Sequence, residues 1–176
     1  MVRREKEKAA VLILSAACII ICLLTPVIGV GLTNMGICSG CSLTARFAYS
    51  FFHASVPHAL INCWCLLSIA FIYRVSFGYL IAAYIIAVLY PFGGDIPTVG
   101  LSAVCFALMG MVSFQSQKRL YFHVWVLSFI GVSALLAAFL QELISIAPPN
   151  NLLHIYCYLC GIIIGILNTP LITYGR

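Results

Sequence analysis

Four polar side chains open apolar runs in this chain. Ser102 begins one run, in Val99-Gly100-Leu101-Ser102-Ala103, and His154 begins the last, 52 positions later. His58 and Asn62 stand four apart at the start of another, in the stretch His53 to Asn62. That spacing puts His58 and Asn62 on one helix face. Polar groups are costly inside a bilayer, so four at the ends of apolar runs point first to function. Each alone has a packing explanation, because serine, histidine and asparagine also join membrane helices. Together they make an acyl-transfer set. The Ser102 hydroxyl attacks, and the His154 imidazole takes its proton and later returns it to the leaving amine. His58, Asn62 and the Ser102 backbone N–H can donate to the oxyanion, the last because a helix start leaves its first N–H groups free. Gly100 and Ala103 leave backbone open beside the hydroxyl. Asp95 and Glu142 are expected in loops and Glu5 and Glu7 near the N-terminus, so no carboxylate orients His154. The chemistry is that of a dyad, and activity should fall at low pH as the base is protonated.

The elements that position these groups follow from hydropathy. Of 176 residues, 64% are hydrophobic and 7% charged, far from the balance of a soluble domain. The net charge of +5 bears on orientation rather than on nucleic acid, and no nucleic-acid partner is expected. Six apolar segments run roughly over 9–32, 56–73, 77–92, 101–114, 122–140 and 152–173. A span takes about 20 residues, and shorter helices serve inside a bundle. The segment at 101–114 is the shortest and richest in small residues, which suits a central helix. Ala103, Ala107 and Gly110 give it a small face, and Gly161 and Gly165 give the last segment another. His154 and Gly161, seven apart, share a side, so the two faces can meet and bring His154 to Ser102. The expected fold is an all-α membrane protein: one domain over 1–176, six transmembrane helices, a core at about 45–170 and a basic stretch at 1–8.

Orientation follows from charge. Arg3, Arg4, Lys6, Lys8, Arg74, Lys118, Arg119 and Arg176 fall on one side of a six-span path, and Arg46 on the other. The positive-inside rule places both termini in the cytoplasm and the loops 33–55, 93–100 and 141–151 outside. All four polar groups then lie near the outer face. The first apolar run exceeds a signal core and lacks a small-x-small cleavage site, so it is expected to be retained. Short termini without a transit peptide suggest a bacterial inner membrane. In loop 33–55, Leu43, Phe47, Tyr49, Phe51 and Phe52 suggest a segment lying in the membrane interface.

The pattern resembles the rhomboid family of intramembrane serine proteases. His53, His58 and Asn62 match the family's His-x4-His-x3-Asn. Gly100 and Ser102 match its Gly-x-Ser, followed by Ala107-Leu108-Met109-Gly110. His154 and Gly161 match the histidine and downstream glycine of its last helix. The resemblance implies a Ser102–His154 dyad, His58 and Asn62 at the oxyanion hole with Gly100 beside them, and supporting roles for His53, Phe106 and Gly161. It implies a rhomboid-like bundle that cleaves single-pass or other membrane proteins near the outer face without cofactor or metal. It also implies entry by sideways movement of the helix at 122–140, with loop 141–151 as a cap. Substrates with glycine or small residues near the outer boundary should be preferred, because their backbone is easier to unwind.

The chain departs from the family at four places. Ala103 replaces the usual glycine after the serine, and activity should survive. Phe106 keeps the ring, without the hydroxyl, of the usual tyrosine. Cys157 replaces a common glycine and should push the last helix slightly outward. The Trp-Arg pair usual in the first outer loop is absent, although Arg46 lies close to its place. Gly93-Gly94 should let the loop before Ser102 bend, and Pro148-Pro149 should fix the backbone before His154. Cys38 and Cys41 could form a disulfide in an oxidising compartment. Cys157 and Cys160 near His154 lack a convergent fourth zinc ligand, and Cys18, Cys22, Cys63, Cys65 and Cys105 read as packing. His123 reads as interfacial. Two other functions remain open: a catalytically inactive rhomboid-like protein that binds or traffics membrane proteins, and a transporter or channel. Retention of serine and histidine weighs against the first, and a polar cluster confined to one face against the second.

Overall fold

The structure, a computed structural model, describes residues 2–29, 31, 35–144 and 150–168. Leu32, Pro148, Pro149, the end of the last apolar segment at 173 and Arg176 lie outside these. The described residues form helices and loops without a strand; one isolated antiparallel bridge joins Ile37 to Thr98. The helices are α1 (Val2–Leu24), α2 (Leu43–Ala48), α3 (Val56–Ile72), α4 (Phe77–Val88), α5 (Ser102–Val112), α6 (Arg119–Ile144) and α7 (Asn151–Asn168). Short 3-10 turns follow α2 at Tyr49–Phe51 and α5 at Ser113–Gln115. Three stretches are long and apolar enough to cross a membrane: Arg4–Leu24, Arg119–Leu136 and Asn151–Asn168. A fourth counts if Leu43–Phe51 and Val56–Ile72, bent by 79°, are one broken span. The protein is an all-helical integral membrane protein.

Local sequence sets most helix starts. Ser42, Ser55 and Ser76 accept N–H bonds from Ala45, His58 and Tyr79 at the starts of α2, α3 and α4. Pro57 fits the first turn of α3, where no intrahelical N–H bond is lost. Asn150 caps α7, its Oδ1 accepting the Leu153 N–H at 3.0 Å. These caps place His58 and His154 in the first turns of their helices.

Several expected boundaries move. α1 begins at Val2 and carries the basic residues inside the helix, where Lys8 pairs with Glu5 at 3.2 Å. It ends at Leu24 rather than 32, because Pro26 disfavours helix at the residue before it. α6 runs on to Ile144, so Glu142 lies in a helix and not in a loop. Gln141, Glu142 and Leu143 are good helix formers and nothing there interrupts the turn. Within 33–55 the chain forms α2 and a 3-10 turn. Leu43 and Phe47 are exposed, whereas Tyr49 is wholly buried in the protein core.

The core sits on α5. Every residue from Ala103 to Val112 is buried, as an all-round apolar helix should be. α3, α4 and α7 surround it, α7 with the most extensive contact, and α1 packs on α3. At the end where α5 starts, two loops close together. Ile37 and Thr98 exchange both backbone bonds at 3.0 Å, and the Ser39 N–H donates to the Gly94 carbonyl at 2.9 Å. A Cβ on Gly93 would lie 2.5 Å from the Ser39 nitrogen. Gly93 therefore permits close approach of the two loops, while Gly94 has open space at its Cβ position. Cys38 and Cys41 of the facing loop are joined in a disulfide, their Cα atoms 5.2 Å apart.

Candidate active site

Backbone contact between α5 and α7 brings the two ends together. A Cβ on Gly161 would lie 2.1 Å from the Ala107 carbonyl oxygen, and one on Gly110 would lie 2.3 Å from that of Tyr158. Glycine is needed at both positions, and the helices meet without side chains between them. Cys157 is fully enclosed one turn before Gly161. In this register His154 Nε2 lies 2.9 Å from Ser102 Oγ. The bond is charge-neutral in kind, hydroxyl to imidazole, and its length is ordinary.

The surroundings of His154 are set from two sides. The Phe106 ring lies against the imidazole with centroids 4.6 Å apart. Asn150 fixes the start of the helix: its carbonyl accepts the His154 N–H at 3.2 Å, and its Nδ2 donates to Thr98 Oγ1 at 3.2 Å. Tyr90 OH donates to Asn150 Oδ1 at 3.4 Å. His154 Nδ1 is buried and without a partner among the described residues, none of which places a carboxylate behind the imidazole. Asn150, Thr98 and Tyr90 were not singled out by sequence. Asn150 offered one usable signal, a cap residue directly after a Pro-Pro pair.

His58, Asn62, Ser102 and His154 line a single cavity of about 230 Å³. Thr98, Asn150 and Phe106 also border it, and α6 contributes Phe129 and Ser133. Asn62 Nδ2 is buried there with no acceptor among the described residues. A buried donor left unpaired is destabilising by about 1–3 kcal/mol, so this amide is free to bond a group entering the cavity. Gly100 explains how His58 and Asn62 come so near α5. Its φ is +119°, and a Cβ would lie 2.9 Å from His58 Cε1 and 3.0 Å from Asn62 Nδ2. Its own N–H donates to the Tyr49 carbonyl at 3.0 Å. Gly100 thus contributes room and a left-handed turn, not an oxyanion donor.

His53 lies behind this layer. Its Nε2 accepts the Leu101 N–H at 3.3 Å, and its ring meets the His58 ring edge-on at 5.3 Å. It holds the turn that enters α5 and does not border the cavity. His123 is not merely interfacial, since its Nδ1 and Tyr158 OH are 2.6 Å apart, joining α6 to α7. A second, more open cavity of about 550 Å³ adjoins the first, between the 92–99 loop and Asn150. Among the described residues no three His, Cys, Asp or Glu side chains converge on a metal position. The arrangement is a hydroxyl, an imidazole in contact with it and a buried amide donor, in one cavity near one end of the bundle.

A family model for the Rhomboid domain matches residues 40–174 of the chain. No curated protein matches it.

Proposed function

The chain belongs to the rhomboid family, and on that premise we propose that it is an intramembrane serine endopeptidase working through a Ser102–His154 dyad. The observation that carries this reading is the 2.9 Å contact between His154 Nε2 and Ser102 Oγ, in the cavity that also holds the unpaired Asn62 amide. Neutral His154 takes the hydroxyl proton as Ser102 attacks the scissile carbonyl. The tetrahedral oxyanion is held by Asn62 Nδ2, by the Ser102 N–H at the uncapped start of α5, and by His58. His154 protonates the leaving amine, and a water activated by the same imidazole then releases the acyl group. Phe106 and the Asn150 cap take the orienting role that a carboxylate fills in a triad. His53 and Gly161 act by positioning: one sets the turn into Ser102, the other the depth of His154.

In this proposal six helices, α1 and α3 to α7, cross the bilayer with both termini in the cytoplasm. α4 and α5 are short, about 18 and 17 Å at 1.5 Å per residue, and serve as inner helices where neighbours cover their ends. The loops at 35–42 and 91–100 then face outward, in a bacterial inner membrane. Substrates are membrane proteins whose spans unwind near that face and enter beside α6.

The test is labelling of the protein in vesicles with a fluorophosphonate. An adduct on Ser102 that is lost in Ser102→Ala and in His154→Ala is expected. A folded protein that never labels would instead be a rhomboid-like binding protein.

A further inference from the structure

Two thiols sit one turn below the reacting groups. Cys65 follows Asn62 by three residues on α3, and Cys105 follows Ser102 by three on α5. Residues three apart share a helix face, so each cysteine lies beneath one of the proposed catalytic groups. Both border the cavity that Ser102 and His154 border. Cys105 on α5 faces the turn of α3 that runs from Asn62 to Cys65. Cys105 is buried, and its Sγ donates to the Asn62 carbonyl at 3.6 Å. Cys65 is only partly buried and is the more accessible of the two. Cys18, Cys22 and Cys63 are buried and donate to backbone carbonyls as Cys105 does, but they do not border this cavity.

We propose that Cys65 and Cys105 are an oxidisable dithiol, and that their disulfide shuts the site by drawing α3 and α5 together beneath it. A hydroperoxide is the oxidant, small enough to follow the route the hydrolytic water must take. The Cys65 sulfur attacks one peroxide oxygen; the O–O bond breaks, giving a sulfenic acid and one water. The Cys105 sulfur then displaces that hydroxyl as a second water and the S–S bond forms. Two thiols lose two electrons, and hydrogen peroxide is reduced to two waters. The bond fixes a sulfur–sulfur distance of about 2 Å. It also removes the Cys105 donor from the Asn62 carbonyl, so the turns carrying Asn62 and Ser102 shift together. A displacement on the order of 1 Å at reacting groups costs about 10²-fold in rate. The effect on activity rests on the peptidase reading; formation of the bond does not.

The test uses the full chain in vesicles, reduced or treated with hydrogen peroxide. Non-reducing peptide mass spectrometry reads the bond, and fluorophosphonate labelling reads Ser102. A Cys65–Cys105 linked peptide is expected, with labelling lowered about tenfold or more and restored by dithiothreitol. In Cys65→Ser and Cys65→Ala the ratio of reduced to oxidised labelling should fall to about one. Absence of the linked peptide, or an equal loss of labelling in both Cys65 variants, would overturn the proposal. So would a linked peptide that leaves labelling unchanged. A reduced chain that never labels would defeat the peptidase reading, while the linked peptide would still decide whether the dithiol forms.

Discussion

α7 and α6 are both long apolar helices, and they are held in opposite ways. α7 lies backbone to backbone on α5, and Gly110, Gly161 and Gly165 would each collide with the facing helix if they carried a Cβ. Among the described residues α6 is held by side chains: Phe129 near Phe106, the His123–Tyr158 bond, and the buried Val126 and Ile130. Most of its large residues face outward, and Gly131 has nothing within 4 Å of a Cβ position. The groups that must keep hydrogen-bond geometry are on the first pair, and the element bordering the cavity from the side is the second. Close packing resists displacement, while few buried contacts mark a segment of low local stability. The division suits an enzyme that must hold a dyad still and admit a transmembrane segment beside it. The buried-contact pattern is what supports the proposed entry beside α6.

Substitutions should separate the two regions, and the largest effect belongs to the dyad. His154→Ala should lower the rate of cleavage of a membrane substrate by about 10³-fold or more, with the protein still folded by thermal unfolding. Next comes Gly161→Val, whose side chain meets the Ala107 carbonyl. It should abolish labelling of Ser102 and destabilise the fold by more than about 2 kcal/mol in detergent unfolding. Unchanged stability would break the comparison, since it would show that α7 is as loosely held as α6. Asn62→Ala removes one oxyanion donor among several, and should lower turnover by about 10²-fold with little change in substrate affinity. Asn150→Ala removes the cap of α7. It should cost about 1 kcal/mol and reduce turnover, with fluorophosphonate labelling slowed but not lost. The smallest effect is expected from Gly131→Ala on α6. With open space at that position it should stabilise by about 0.5–1 kcal/mol through helix propensity. A destabilisation there would mean that α6 is tightly packed after all.

The gathering of polar groups was legible in the sequence because each belongs to a helix start or a helix face. His58 and Asn62 at a spacing of four, Ser102 after Gly100, and His154 seven before Gly161 all follow helical periodicity, and small residues announced the α5–α7 contact. What was not legible comes from loops meeting loops. The Ile37–Thr98 bridge, the bond from Asn150 to Thr98 and the burial of Tyr49 join positions with no shared period. Gly93 gave no sign of being a point of close approach, because its facing backbone at Cys38–Ser39 lies 54 residues earlier in the chain. The His123–Tyr158 bond was missed for a related reason: nothing in either helix's own pattern marks the partner. Glu142 was misplaced because polarity alone suggested a loop where the helix simply continues.

The central claim is that Ser102, held by the α5–α7 pair, cleaves a membrane span. It is tested most directly by reconstituting the chain in vesicles with a single-pass substrate carrying glycine near one membrane boundary, and measuring where and how fast it is cut. Cleavage near that boundary is expected from the wild-type protein, and none above background from Ser102→Ala. Equal cleavage by the two, or no cleavage by a folded wild-type protein across substrates of this kind, would contradict it.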